Sequence, residues 1–171
     1  DALFNTARVV LRNAQVDEAL ATRLLEHVVL TPTHKSAITE YVAFMSGVSN
    51  RGALIETALN VSNEVQALAK VRIARMYAHY HESWTPLNSL ISAGHLALAI
   101  NKKNELSVAL PFDFLSWTAQ TERVFAGLAE FAKRKGITSK TVLLSGVSTD
   151  LARAGLAAHG FESFERVLFA R

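Results

Sequence analysis

Four short stretches of this chain bring together residue types that do chemistry. His79-Tyr80-His81-Glu82 puts two imidazoles and a carboxylate within four positions, and zinc is bound by such ligands. Leu144-Ser145-Gly146-Val147-Ser148-Thr149-Asp150 reads as strand, turn and helix start. There Ser145, Ser148 and Thr149 could hold a phosphate or carboxylate against backbone N–H groups. Pro111-Phe112-Asp113-Phe114-Leu115 sets one carboxyl among apolar neighbours, a setting suited to a proton donor. Trp84 and Trp117, with Phe112 and Phe114, flank a hairpin-like segment. Rings of this kind pin elements together when buried and mark a partner surface when exposed.

Each stretch has a plainer reading. On a helix, side chains two positions apart point about 200° away from each other, so His79 and His81 share a ligand only in an extended segment. The surrounding pattern is a helix end, where histidines also suit the dipole. Asp150 already offers negative charge to the helix start at 149. No Gly-x-Gly-x-x-Gly, Gly-Lys-Ser/Thr, Gly-x-Ser-x-Gly or His-Glu-x-x-His is present, and the chain has no cysteine. Thiolate metal sites, cysteine nucleophiles and disulfide scaffolds are thereby excluded, and no cofactor is expected. Asp113 has no second carboxylate or histidine close in sequence.

A fifth stretch suggests recognition. Thr39-Glu40-Tyr41-Val42-Ala43-Phe44-Met45-Ser46-Gly47-Val48-Ser49 carries a Val-Ala pair before a Gly-Val-Ser turn. Over about twenty residues it resembles the first helix and turn of a helix-turn-helix of the lac-repressor type. That resemblance implies a DNA-binding regulator using residues 38–60. The second helix departs from the pattern: Glu56 falls where an apolar packing residue belongs, and Arg51 is the only basic residue in 50–60. Phosphate contacts need more.

The elements that must position these residues follow from spacing and composition. The chain has 171 residues, half of them hydrophobic, which suits one domain and excludes a disordered chain. Net charge is only +3, and the excess sits at Lys133, Arg134, Lys135 and Lys140 around Gly136, where a helix C-terminus accounts for it. The longest stretch free of charged residues, Ser83 to Asn101, is too polar to span a bilayer. No basic stretch leading into an apolar one opens the chain. A soluble protein is expected, cytoplasmic or exported after loss of a leader.

Apolar residues recur at helical spacing through residues 3–11, 16–28 and 38–45, and Thr31-Pro32 forms a cap with proline at the first helical position. Residues 51–60 and 63–82 read as two helices, with Ser62 and Glu64 marking the second start. Thr85-Pro86 implies a further short turn of helix. Alternation then takes over at Leu96, Leu98 and Ile100 and at Leu106, Val108 and Leu110, as in a hairpin. Helix over 118–135, strand over 141–145, helix over 149–159 and strand over 161–169 complete the chain. The fold expected is α+β: about five N-terminal helices (1–92) packed on a small mixed β-β-α-β-α-β sheet unit (95–171), within one domain of one core.

The function expected is a non-enzymatic binding or protein–protein interaction module, with a protein partner or self-association and no nucleic acid. The DNA-binding regulator is the alternative, and a small hydrolase or metal-dependent enzyme around His79, His81 and Asp113 is a further one. The strands of 95–171 need cover on both faces, and half a dozen aliphatic side chains left bare at ~1.5–3 kcal/mol each exceed the stability of a typical domain. Residues 95–171 expressed alone should therefore give no cooperative melt by circular dichroism. A soluble, cooperatively melting fragment would make the two parts separate domains.

Overall fold

The computed structural model describes residues 2–169. Its helices start where short polar side chains meet the backbone. After α1 (Ala2–Asn13), Asp17 opens α2 (Glu18–Glu26), its Oδ1 accepting the N–H groups of Ala19 and Leu20. Thr31 opens α3 (Pro32–Phe44), and its Oγ1 accepts the His34 N–H while the His34 ring accepts the Thr31 N–H. These caps satisfy N–H groups that a first helical turn leaves unpaired. The short α4 (Gly52–Ala58) and the long α5 (Glu64–Ser83) follow, with Asn63 rather than Ser62 capping α5.

Thr85-Pro86 does not start a turn of helix. It leads into strand β1 (Leu87–Ala93), which pairs antiparallel with β2 (Leu96–Asn101). Pairing decides the matter: β1 gains a neighbour on one side from β2 and on the other a bridge from Ser49, whose N–H and C=O bond Asn88 and Leu90. Such long-range partners are invisible to a local cap motif. The chain continues through β3 (Leu106–Leu110), the two-residue β4 (Phe114–Leu115), α6 (Ala119–Arg134) and β5 (Lys140–Leu144). It ends with the two-residue β6 (Val147–Ser148), α7 (Asp150–Ala158) and β7 (Phe161–Phe164).

The fold is α+β, with seven helices and a five-stranded mixed sheet in the order β1-β2-β3-β5-β7. β2 runs antiparallel to both β1 and β3, and β3, β5 and β7 are parallel. β4 and β6 form a separate parallel pair. β7 stops at Phe164 instead of running to Phe169. Arg166 adopts a positive φ of 52°, its N–H reaches the Gly146 carbonyl, and Val167 bonds the Leu144 carbonyl and is fully buried. The chain thus turns across the end of β5 rather than extending the strand.

Apolar clusters lie on both faces of the sheet. Leu98, Ile100, Leu106, Val108, Leu110, Val142 and Leu144 point to one face, where Phe125 and Leu128 of α6 and Leu156 of α7 cover them. On β2 and β3 the other face carries small residues, Ala97, Ala99 and Ala109; together with Leu87 and Leu90 of β1 and Leu143 of β5 they meet the N-terminal helices. The large aliphatic face, which the sequence pattern assigned to the N-terminal helices, is closed by α6 and α7 instead, so residues 95–171 alone would bare the face of Ala97, Ala99, Ala109 and Leu143 and not that one. α4 and α5 lie on the sheet, α3 rests on α5, and α1 rests on α3.

Small residues let α5 come close enough to hydrogen-bond the sheet with a side chain. Tyr77 is fully buried; its Oη donates to the Ala97 carbonyl at 2.5 Å and accepts the Ala109 N–H at 2.9 Å. The β2–β3 register, Leu98 opposite Val108, would put Ala97 opposite Ala109. One phenol hydroxyl thus stands between a carbonyl and an N–H that would otherwise pair in the ladder. Burial pushes the phenol pKa up, so the hydroxyl keeps the proton it donates. Tyr77→Phe would leave both backbone groups buried without partners, at roughly 1–3 kcal/mol each. Urea denaturation of that variant should show stability lower by about 2–4 kcal/mol with an unchanged m-value; a loss within error would mean the strands close up without the hydroxyl.

Candidate functional site

The helical layer leaves a hollow on its outside, between α1 and α3. Leu3, Thr6, Ala7 and Val10 recur along α1 at the spacing of one helical face, and Ser36, Thr39, Glu40, Ala43 and Phe44 do so along α3. They enclose a groove of about 500 Å³, mostly apolar. Small residues, Thr6, Ala7, Ser36 and Ala43, keep the helices from filling the space. Leu3 and Phe44 stand 59% and 50% exposed. Thr39 on the groove wall is only 5% exposed, yet its Oγ1 has no hydrogen-bond partner. Helical threonines ordinarily bond a carbonyl one turn back, and a buried hydroxyl that does not costs about 1–3 kcal/mol.

A second hollow, of about 210 Å³, lies on the other side of the same helix, between α3 and α5. Glu40, Tyr41 and Phe44 line it from α3, and Arg75, Ala78, His79 and Glu82 from α5. Glu40 and Phe44 border both hollows. The His79 Nε2 is buried without a partner. Glu40, Glu82 and Arg75 take part in no ion pair among the described residues.

The three candidate metal ligands therefore part company, as helical spacing requires. His79 and Glu82 share the α3–α5 hollow. His81 turns toward β1, where its Nδ1 accepts the Leu87 N–H at 2.9 Å. Burial pushes the His81 pKa down, and the nearby charges of Lys102 and Arg51 add to this, which keeps that acceptor unprotonated. Among the described residues no group of three or more His, Asp or Glu is placed to hold a metal ion. Asp113 lies elsewhere, paired at 3.1 Å with Arg72, about 10 Å along α5 from His79 by helical rise. No hydrolase-like constellation of His79, His81 and Asp113 is assembled.

The start of α7 does collect an anion, and the chain supplies it. The Ser148 N–H donates to Glu165 Oε1 at 2.9 Å, the Ser148 hydroxyl donates to the same oxygen at 2.5 Å, and Arg153 Nε lies 3.3 Å from it. Thr149 Oγ1 caps the helix through the Ala152 N–H, and Ser145 Oγ donates to the Phe112 carbonyl. Gly146 is needed here, because a Cβ would sit 1.9 Å from the Asp113 carbonyl oxygen. Trp84 and Trp117 are not brought together either. Trp84, 38% exposed, packs edge-on against Phe164, while Trp117 stacks on Phe125 and lies over Gly155 of α7, where a Cβ would clash with it.

The stretch that resembles a helix-turn-helix is built inward. In α4 every residue but Glu56 is buried, and α4 lies against α2, α5, β1 and β2. A helix enclosed in this way has no face to lay in a DNA groove. Arg51 is 8% exposed, and its Nη1 donates at 3.2 Å to the carbonyls of Val42 and Ala43 at the end of α3. Burial pushes its pKa down, and its Nε is unpartnered. The one basic residue of the segment thus closes a helix terminus instead of meeting phosphate.

The sequence reading missed the α1–α3 groove. Its signal was present in the small residues at 6, 7, 36 and 43, which share faces of amphipathic helices with Leu3, Val10 and Phe44. No helix among the described residues is long and apolar enough to cross a membrane. Comparison with protein families, with curated proteins and with solved structures finds no match.

The Glu165 contact sets a pH dependence. The Ser148 hydroxyl holds the carboxyl pKa below its ordinary value; partial burial opposes this, and the Ser148 N–H and Arg153 add to it. A depressed folded-state pKa stabilises above the ordinary carboxylate range, and the gain is lost as pH falls through the folded value. The melting-temperature gap between wild type and Glu165→Gln should be widest near neutral pH and close as pH drops below that range. A gap independent of pH would mean that charge at Glu165 contributes nothing.

Proposed function

We propose that the protein is a non-enzymatic binding module that receives the apolar face of an amphipathic partner helix in the groove between α1 and α3. The observation that carries this reading is the Thr39 hydroxyl, buried and unpartnered in the wall of a mostly apolar groove. Small-residue walls flanked by Leu3 and Phe44 fit a third helix laid across two, a recurrent mode of peptide recognition. A volume of about 500 Å³ lies within the usual range for binding hollows. The groove is on the side of the helical layer away from the sheet, so a guest there disturbs neither apolar cluster. High overall hydrophobic content agrees with an apolar surface kept for a partner.

A display library of amphipathic helices of about 14 residues, panned against the full chain, tests the reading. Ala43→Glu, half-buried on the groove wall, should weaken the selected binders by roughly tenfold or more through a desolvated charge, with little change in melting temperature. Binders indifferent to Ala43→Glu would refute the groove as the docking site.

A further inference from the structure

We infer that the end of the sheet where β5 begins is a docking surface for the phosphate backbone of a nucleic-acid duplex, gripped without regard to base sequence. This surface does not rest on the groove reading above. Lys102 and Lys103 come from the turn between β2 and β3, Lys133, Arg134 and Lys135 from the end of α6, and Lys140 from the first position of β5. Strand pairing gathers them: Lys140 stands opposite Leu106, the first residue of β3, and the Leu106 N–H donates to the Ser139 carbonyl at 3.0 Å. With neighbouring strands about 5 Å apart and α6 packed one layer away, the six cations share a face on the order of 15 Å across.

The dipole of α6 accounts for Lys133, Arg134 and Lys135 but not for the other three. The chain has seven lysines. Lys35 and Lys70 donate to the Leu25 and His95 carbonyls. The remaining five, and Arg134 with them, form no ion pair among the described residues, and all stand at this end. Lys140 is half-buried, its Nζ over the Phe161 ring at 5.6 Å, and the other cations are exposed. Glu105, Glu130 and Glu162 are the acids that the same elements and β7 bring here, and Glu105 already accepts the Asn101 amide. Six cations against three carboxylates leave +3, the formal net charge of the whole chain, so the rest of the molecule balances to neutral.

Six like charges held together by the fold call for a dense polyanion. A duplex carries one phosphate charge per about 1.7 Å of axis, so a face of this width spans roughly nine of them. A bilayer dilutes its anions among neutral headgroups and is gripped most firmly by inserted apolar side chains. None of the exposed large apolar residues belongs to segments 102–106 or 133–140. Neither segment holds an aromatic ring on which unpaired bases could stack. Lysines are point charges that lack the fork by which arginine reads base edges, and exposed Thr138 and Ser139 add hydroxyl donors for phosphate oxygens. Four of these charges stand close together in the sequence; the pairing of β3 with β5 adds Lys102 and Lys103 to them.

Fluorescence anisotropy of a labelled 20-base-pair duplex of random sequence, titrated with the full chain, tests the surface. Binding should have a dissociation constant on the order of 10 μM at 50 mM salt, with a log–log salt slope of about −5. Lys102→Gln/Lys103→Gln/Lys140→Gln removes the three cations that the helix end does not explain. It should weaken binding by roughly tenfold or more and make the slope shallower by about 3. Lys102→Gln/Lys103→Gln, confined to an exposed turn, should act in the same direction with a change of about 2. Arg8→Gln/Arg23→Gln/Arg75→Gln takes the same charge from the N-terminal layer, where none of the three is ion-paired among the described residues, and should weaken binding by less than about threefold. Circular dichroism melts verify that the variants are folded. No binding at 50 mM salt, equal losses in the two triple variants, or capture by phosphatidylserine–phosphatidylcholine vesicles in preference to the duplex would overturn the proposal.

Discussion

The Tyr77 hydroxyl is the point on which the two halves of the molecule meet. It is the donor to one central strand and the acceptor from the next, and it arrives from the helix that supports the rest of the N-terminal layer. Its position demands that β2 and β3 show α5 only small side chains, which is why Ala97, Ala99 and Ala109 occupy that face while leucines and valines occupy the other. A larger residue at those positions would hold α5 away and leave the hydroxyl out of reach of both backbone groups. The asymmetry of the sheet is thus set by one polar contact as much as by apolar burial.

Other polar groups that look available for chemistry are already engaged in holding the fold. Arg51 closes the end of α3, Glu165 fills the cradle at the start of α7, and His81 receives a backbone N–H as β1 begins. Each answers an unsatisfied backbone group with a side chain six to seventeen residues away along the chain. Besides Arg51 Nε, two buried atoms remain unanswered, Thr39 Oγ1 and His79 Nε2, and they lie on the two sides of α3. Buried polar atoms without partners are uncommon, and two flanking one helix draw attention to that helix.

Much of the element order was legible in the sequence. Helical spacing and the Thr31-Pro32 cap placed the first helices, Leu96 to Leu110 placed a hairpin, and the parallel pairing of β5 and β7 agrees with the strand–helix–strand pattern read there. The failures share one cause. Leu87 to Ala93 is a strand because of its neighbours, and Val167 leaves the strand line because a carbonyl of β5 takes its N–H. Neither partner can be read locally. The sequence likewise showed that His79 and His81 diverge, since 3.6 residues per turn decides it, but gave no hint that Glu40 would join His79 across two helices.

The closing stretch of the chain has a bearing on synthesis. Phe164, Val167 and Leu168 belong to the cluster formed by the N-terminal helices, although more than 80 residues separate them from α5. The helical layer is translated first, yet its apolar interior lacks a wall until these residues have left the ribosome. During elongation α5 therefore exposes the seat of Phe164 beside Tyr80 and Trp84, a surface that a holdase chaperone would recognise.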